Sequence, residues 1–236
     1  MDQLKLLAWG DTGWGDELAR GFLMTLVVSA VAYLMSMGFG LLGASGKLSR
    51  NRYLRLAADI YTTVVRSLPE LLMILLVYFS VAGVAERGLK ALGLVGRDFE
   101  FSAFWAAVFA LAFVSGAFMT EVLRAAIQAV PKGQVEAATA IGMPQRRIFC
   151  RIVFPQMIRH AVPGLGNLWL GMTKESSLVA VLGTFSELLY TGYRAAGATK
   201  QYGFFYMVIA LFFLFISLVS MLAISRIEKR VERGYR

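Results

Sequence analysis

The chain has 236 residues, of which 58% are hydrophobic and only 17% are charged. A soluble domain carries about a quarter charged residues, so this composition excludes an ordinary soluble domain. The apolar residues come in long blocks, and a bilayer core of roughly 30 Å needs about 20 such residues per helix. The composition therefore predicts an all-α membrane protein that folds as one membrane domain.

Five apolar blocks follow one another along the chain, each long enough to cross a bilayer as a helix. We predict about five transmembrane helices, at 21–44, 60–84, 103–127, 161–182 and 203–224. They make up a membrane domain of residues 21–225, which follows a polar N-terminal segment at 1–20 and precedes a basic tail at 226–236.

Lysine and arginine residues are divided unevenly between the two sides of this arrangement. Most of the chain's 24 basic residues fall in the first loop, in the segment 128–160 with Arg124, and in the tail. Cytoplasmic loops carry an excess of Lys and Arg, so we predict that 1–20 is extracytoplasmic and that 226–236 is cytoplasmic. The formal charge of +9 then faces anionic membrane lipid and does not indicate nucleic-acid binding.

Two glycine motifs resemble nucleotide-binding loops but lack the necessary context. GFGLLG at 38–43 matches GxGxxG, a pattern that needs a strand before it, and here it lies inside an apolar span. Small residues let membrane helices approach closely, so we interpret it as a packing motif. GKLS at 46–49 lacks the spacing of a phosphate loop. We therefore expect no ATP hydrolysis by this chain.

Metal and catalytic chemistry have little support in the sequence. There is one cysteine, Cys150, and one histidine, His160, which leaves no metal-ligand spacing. We predict no catalytic residue, no metal site and no cofactor bound by this chain.

The segment 130–156 carries the most informative motif. Glu136, Ala137 and Ala138 are followed after three residues by Gly142, and after nine more by the sequence IVFP at 152–155. Residues 134–143 favour a helix, because Glu136 suits the positive end of a helix dipole and Pro144 stops the helix. We predict a short, rigid helix on the cytoplasmic face. The residues alone favour an ordinary interfacial loop helix, with insertion into a groove on a partner as the alternative.

This spacing resembles the EAA loop, EAA-x3-G-x9-I-x-L-P, of permease subunits in bacterial ABC importers, with Phe154 in place of the usual leucine. Four further segments are similar to importers of histidine, lysine-arginine-ornithine and opines, and in particular to their Q-type subunit. They are 46–52 (GKLSRNR), 61–72 (YTTVVRSLPELL), 130–134 (VPKGQ) and 174–179 (KESSLV). The resemblance covers nearly the whole chain.

The resemblance implies a type I importer permease fold in the bacterial inner membrane, and a transport subunit rather than an enzyme. The implied partners are a second permease subunit, two cytoplasmic ATPases that carry ATP and Mg, and an extracytoplasmic binding protein. The second permease would be an M-type subunit or another copy of this chain. Glu136, Ala137, Ala138 and Gly142 would couple to the ATPase. A basic amino acid or an opine is the expected substrate, with a neutral or acidic amino acid as the alternative.

Several polar residues lie inside the predicted spans, where ionisable groups are costly and indicate function by default. The second span contains Thr63, Arg66 and Glu70 at helical spacing, with Glu70 near the middle of the membrane. The fourth span contains Asn167, Lys174 and Glu175. These six residues are our candidates for a translocation pathway, in which carboxylates would face an amine or guanidinium.

A structural interpretation of the same residues remains open. Internal pairing, such as Arg66 with Glu70, would hold helices together without contacting a substrate. Arg66 is the strongest structural candidate, because it starts closest to the cytoplasmic interface and can snorkel.

Two other classes of function compete with the importer. An ion-coupled secondary transporter usually shows internal repeats, and we detect none in this sequence. An intramembrane hydrolase would need a nucleophile–base pair, and the single His160 has no GxS motif near it.

Overall fold

The computed structural model describes residues 3–10, 13–94, 96, 102–183 and 185–233. Within these residues the protein is helical and contains no β-strand, which confirms the predicted all-α class. The α-helices of the described chain, in order, are α1 Gly15–Lys47, α2 Arg52–Ser67, α3 Glu70–Ala91, α4 Ala103–Gln128, α5 Lys132–Ala140, α6 Gln145–Ile148, α7 Phe154–Glu175, α8 Leu188–Thr199 and α9 Tyr202–Arg233.

Among the described residues, α1, α3, α4 and the Tyr202–Val231 part of α9 are long and apolar enough to cross a membrane. The fourth predicted span, observed as α7, is not among these helices and contains Asn167, Lys174 and Glu175. It also starts earlier than the predicted 161–182, at Phe154, after a π-helical turn at Phe149–Val153. Beyond Glu175 the chain continues as a 3-10 helix, Ser176–Leu182.

The prediction of one continuous second span at 60–84 is wrong. α2 ends at Ser67 and α3 begins at Glu70, and Leu68 between them is extended, with φ −104° and ψ 153°. The physical cause is Pro69, which lacks an N–H group and pushes the residue before it out of the helical region. Thr63 and Arg66 therefore lie on a different helix from Glu70.

The ends of the chain differ in detail from the predicted boundaries. The N-terminal segment 1–20 contains a 3-10 turn, Gln3–Leu7, and the first turns of α1. α9 continues through Arg233 into the predicted tail, whose residues 234–236 lie outside the described part. Between the second and third predicted spans, at 85–102, the structure shows the end of α3. Residues 95 and 97–101 of this segment lie outside the described part of the chain.

The glycine motif at 38–43 packs α1 against α4. A Cβ atom on Gly40 would overlap the Met119 side chain, and one on Gly43 would overlap Thr120. Gly38 lies on the other side of α1, where a Cβ atom would meet no atom within 4 Å. The packing interpretation of this motif is confirmed, because two of its glycines permit the close approach of the helices.

α7 and α9 lie side by side and run antiparallel. Trp169 Nε1 donates to Ser220 Oγ at 2.9 Å, and a Cβ atom on Gly166 would meet Ile224 at 2.6 Å. Continuing this register places Lys174 and Glu175 level with Leu214, near the middle of the apolar part of α9.

Substituting the two kinds of glycine should separate helix packing from helix propensity. We expect Gly43→Ala to destabilise the protein by about 1–3 kcal/mol, because the added methyl group overlaps Thr120 across the α1–α4 contact. The measurement is the midpoint of thermal unfolding in detergent. Gly38→Ala is the matched control and should cause no loss, so equal midpoints for the two variants would contradict the packing assignment.

Candidate functional site

The segment 130–156, here called the EAA loop, folds into two short helices and a π-helical turn. α5 spans Lys132–Ala140, slightly earlier than the predicted helix at 134–143, and Pro131 occupies its N-cap position. Pro144 occupies the N-cap position of α6. Both prolines fit these positions because the first N–H groups of a helix have no helical partner.

Gly142 ends α5 through backbone geometry. Its φ of +76° lies in the left-handed region, which glycine adopts at little cost. The Gly142 N–H donates to the Thr139 carbonyl at 2.9 Å, and the Met143 N–H donates to the Ala138 carbonyl at 3.0 Å. This pair of bonds is a Schellman motif. A Cβ atom on Gly142 would meet nothing within 4 Å in this chain, so the surface beside it is open.

The four motif residues do not all face outward. Glu136, Ala137 and Gly142 are exposed, whereas Ala138 is buried with 4% of its surface exposed. Ile141 follows Ala137 by four residues and is 77% exposed. α5 thus presents a small apolar face, Ala137 and Ile141, with the Glu136 carboxylate beside it. Ala138 packs inside the loop and shapes it.

Arg66 pairs with Glu121 of α4 and not with Glu70. The Arg66 guanidinium lies 3.9 Å from the Glu121 carboxylate and 5.4 Å from the centre of the Phe118 ring. Sequence spacing had suggested Glu70 as the partner, but the break at Pro69 puts that residue on the next helix.

Glu121 is the centre of an ion-pair cluster that the sequence analysis missed. The cluster comprises Lys47, Asp59, Arg66, Glu121 and Arg124, and it joins α1, α2 and α4. Lys47, only 10% exposed, bonds to Glu121 and lies 3.1 Å from Asp59, and Arg124 lies 3.0 Å from Glu121. One signal was available, since a carboxylate inside the apolar block 103–127 needs a cationic partner.

The Glu121 cluster borders a polar cleft of about 390 Å³. The residues lining it are Lys47, Thr62, Thr63, Arg66, Ser67, Phe118 and Glu121. Thr63 and Arg66, two of the predicted pathway residues, therefore open into one polar space. Most of the side chains around it carry hydroxyl or charged groups.

Glu70 and Glu175 were predicted in different spans, and in the fold their carboxylates lie within range of a Coulomb interaction. Lys174 also acts electrostatically on Glu175. Ser115, in the middle of α4, donates to Glu175 Oε2 at 3.2 Å. Glu70 is the first residue of α3, directly after the break. We call Glu70 and Glu175 the carboxylate pair.

α7 exposes a polar stripe along part of its surface. Asn167 and Lys174 are exposed and share one face, since they are seven residues apart. Among the described residues, no cluster of three or more His, Cys, Asp or Glu side chains is placed to hold a metal ion.

Comparisons with known proteins agree on the class of protein. The family model described as "Binding-protein-dependent transport system inner membrane component" matches residues 36–233. The nopaline transport system permease protein NocQ of Agrobacterium fabrum is 47% identical, over 99% of this chain and 98% of that protein. The histidine/lysine/arginine/ornithine transport system permease protein HisQ of Escherichia coli is 34% identical, over 94% of this chain and 96% of that protein.

A solved structure agrees with the fold as well as with the sequence. The crystal structure of an amino acid ABC transporter with histidines superimposes with a TM-score of 0.78 at 33% identity, and the match covers 92% of this chain and 95% of that one. The type I importer permease fold is thereby confirmed. The chain belongs to the inner membrane components of binding-protein-dependent transport systems and is a permease subunit of an ABC importer.

Proposed function

We propose that this permease forms part of the translocation pathway for a cationic amino acid or an opine in the bacterial inner membrane. The observation that carries the proposal is the carboxylate pair: Glu70 is the first residue after the break between α2 and α3, and it acts electrostatically on Glu175 at the end of α7. Relatives named for transport of nopaline and of histidine, lysine, arginine and ornithine support this class of substrate.

The depth of the carboxylate pair supports a site within the membrane. Glu175 is bonded to Ser115 in the middle of α4 and lies level with Leu214 in the middle of the apolar part of α9. Ionised side chains at this depth are costly in lipid and face a cavity or a protein partner. Two neighbouring carboxylates attract a cationic amine or guanidinium and repel an acidic side chain, which favours the cationic class over the acidic alternative.

The break at Pro69 offers a complementary site for the substrate carboxylate. α3 begins at Glu70, and its first helical hydrogen bond runs from the Met73 N–H to the Pro69 carbonyl at 3.1 Å. The earlier N–H groups of a helix have no helical partner and carry partial positive charge. Interrupted membrane helices bind anionic substrate groups in this way. A zwitterion would therefore find both charges satisfied near Glu70.

The exposed stripe of α7 supports a second subunit. Asn167 and Lys174 are exposed on a helix that packs between α4 and α9. Because lipid offers exposed polar groups no partner, we infer that the stripe faces the pathway or a second permease, either an M-type subunit or another copy of this chain.

The EAA loop would transmit ATP-driven movements. We infer that two cytoplasmic ATPases, which carry ATP and Mg, contact the exposed face of Ala137 and Ile141, and that an extracytoplasmic binding protein delivers the substrate. This chain would then act as a transport subunit without catalytic residues. α5 follows α4 after only three residues, so a push on the loop would act directly on the helix that carries Glu121 and Ser115.

Removing either charge of the carboxylate pair should reduce uptake of a cationic amino acid. Hydrogen bonds to charged groups contribute about 1.5–3 kcal/mol, so Glu70→Gln and Glu175→Gln should lower uptake roughly 10-fold or more. The measurement is arginine uptake by proteoliposomes that contain the assembled transporter. Glu86→Gln, also on α3, removes a charge from a surface pair with Lys90 and is the control. Normal uptake by both pathway variants would refute the proposal, and loss that always accompanies failed assembly would support the structural interpretation.

Charge at the end of α5 should disrupt ATPase docking. Asn and Asp both tolerate the left-handed backbone of Gly142, so Gly142→Asn and Gly142→Asp differ mainly in charge. A buried unpaired charge costs several kcal/mol, and we expect only the Asp variant to lose co-purifying ATPase and substrate-stimulated hydrolysis. Glu136→Ala should have a milder effect, because Glu136 is exposed. Full binding and full stimulation in Gly142→Asp would exclude this loop end from the interface.

The orientation of the chain can be tested independently. From the distribution of lysine and arginine, reporter fusions after Arg97 and after Arg236 should report opposite compartments, with the second in the cytoplasm. If both fusions report the same compartment, the chain does not cross the membrane an odd number of times between Arg97 and Arg236, and the predicted orientation is refuted.

A further inference from the structure

An apolar groove of about 470 Å³ lies between α7 and α9, on a different face of α7 from the exposed polar stripe. Val162 and Leu165 form part of one wall, and Val219, Ala223 and Ile227 form part of the other. The volume falls within the range of small-molecule sites.

The polar groups in the groove wall are already paired within the protein. The Tyr33 hydroxyl donates to the Leu165 carbonyl at 2.9 Å, and Trp169 Nε1 donates to Ser220 Oγ at 2.9 Å. An occupant therefore meets an apolar lining, which suits a hydrocarbon chain better than a polar substrate.

The outer face of α9 has the composition of a surface against lipid. Its exposed side chains are mostly large and apolar, among them Leu211, Leu214, Phe215, Leu218 and Leu222. Contacts between membrane helices are instead enriched in small and polar residues. The groove opens beside this face, so lipid has direct access to it.

Basic residues continue the groove lining beyond its end at Ile227. Arg226 and Arg230 follow Ala223 and Ile227 by three residues, so they extend the same face of α9, and both are exposed. In the antiparallel register, Arg159 of α7 lies at the same level, three residues before Val162. Glu228 is the one acidic residue among the five of 226–230, against Arg226, Lys229 and Arg230, so this end of the groove is cationic.

We propose that the groove binds an anionic phospholipid, with an acyl chain between α7 and α9 and the phosphate beside Arg226 and Arg230. A guanidinium matches a phosphate through two parallel hydrogen bonds. Basic pockets between membrane helices at the cytoplasmic side recognise anionic headgroups by the same chemistry. The proposal concerns lipid and is independent of the transported substrate.

Trp169 lines the groove and can report on its occupant. In the full-length chain, Trp9, Trp14 and Trp105 are replaced by Phe, so that Trp169 is the only tryptophan. This chain is reconstituted into phosphatidylcholine vesicles that contain increasing fractions of brominated phosphatidylglycerol or of brominated phosphatidylcholine. Bromine on an acyl chain in the groove quenches Trp169 fluorescence. We expect the anionic lipid to quench at a lower mole fraction than the zwitterionic lipid.

Charge variants test recognition of the headgroup. The double variant Arg226→Gln/Arg230→Gln should lose the preference for phosphatidylglycerol by roughly fivefold per arginine. The control Arg50→Gln/Arg55→Gln removes the same charge from two exposed residues, Arg50 before α2 and Arg55 in its first turn, and should keep the preference. Two outcomes would overturn the proposal. One is equal quenching by the two lipids in the chain that keeps Arg226 and Arg230. The other is a preference for phosphatidylglycerol that survives the loss of both arginines.

A second pair of variants tests the acyl chain. Ala223→Leu fills the groove and should reduce quenching by both lipids, whereas Ala210→Leu adds the same bulk to an exposed position of α9 outside the groove. Equal quenching in these two variants would exclude an acyl chain at this site. The proposal would also be overturned if neither lipid quenches Trp169 in the chain that keeps Ala223, Arg226 and Arg230, because protein would then cover the groove.

Discussion

The close contact between α1 and α4 supports the other features of this permease. Gly40 and Gly43 let the two backbones approach, because a side chain at either position would overlap Met119 or Thr120. At one end of the contact, Lys47 of α1 reaches Glu121 of α4. The packing therefore fixes the height at which α4 presents its polar groups, and those groups fix the positions of α2 and α7.

α4 links the three polar regions of the chain. Ser115 bonds to Glu175, and Glu121 lies at the centre of the ion-pair cluster. Three residues separate the end of α4 at Gln128 from the start of α5 at Lys132. Ser115 and Glu121 are six residues apart, about 9 Å along the helix axis. A displacement of the EAA loop along this helix would reach the cluster first and the carboxylate pair second. The cluster is made of discrete ion pairs, which suit a movement between distinct states better than gradual bending.

Much of the fold was predictable because it follows from composition and from local chemistry. Long apolar blocks identified α1, α4 and α9, and the glycine motif was assigned to packing because it stood inside a span. A helix end before Pro144 was predicted, and α5 ends at Ala140, where Gly142 closes it. The family was identified from spacing in the EAA loop, which is a resemblance and not a consequence of physics.

The missed features depend on contacts between residues distant in sequence. Arg66 has Glu70 at an attractive local spacing, yet its partner is Glu121, 55 positions later. Pro69 stands inside the predicted second span, but its effect on which residues share a helix became clear only from the backbone. The position of Glu70 relative to Glu175 depends on how α3 and α7 each pack against α4, and no pattern in one sequence specifies that.

The break between Ser67 and Glu70 has a consequence for hydration. A helix end leaves its last carbonyl groups and its first N–H groups without helical partners, and such groups cannot remain bare in hydrocarbon. Ser67, Leu68 and Pro69 are exposed in this chain, so water or a second permease subunit has to cover these groups. Where water covers them, the barrier to ion leakage lies above or below the break, and closing the pathway means drying a short section of it.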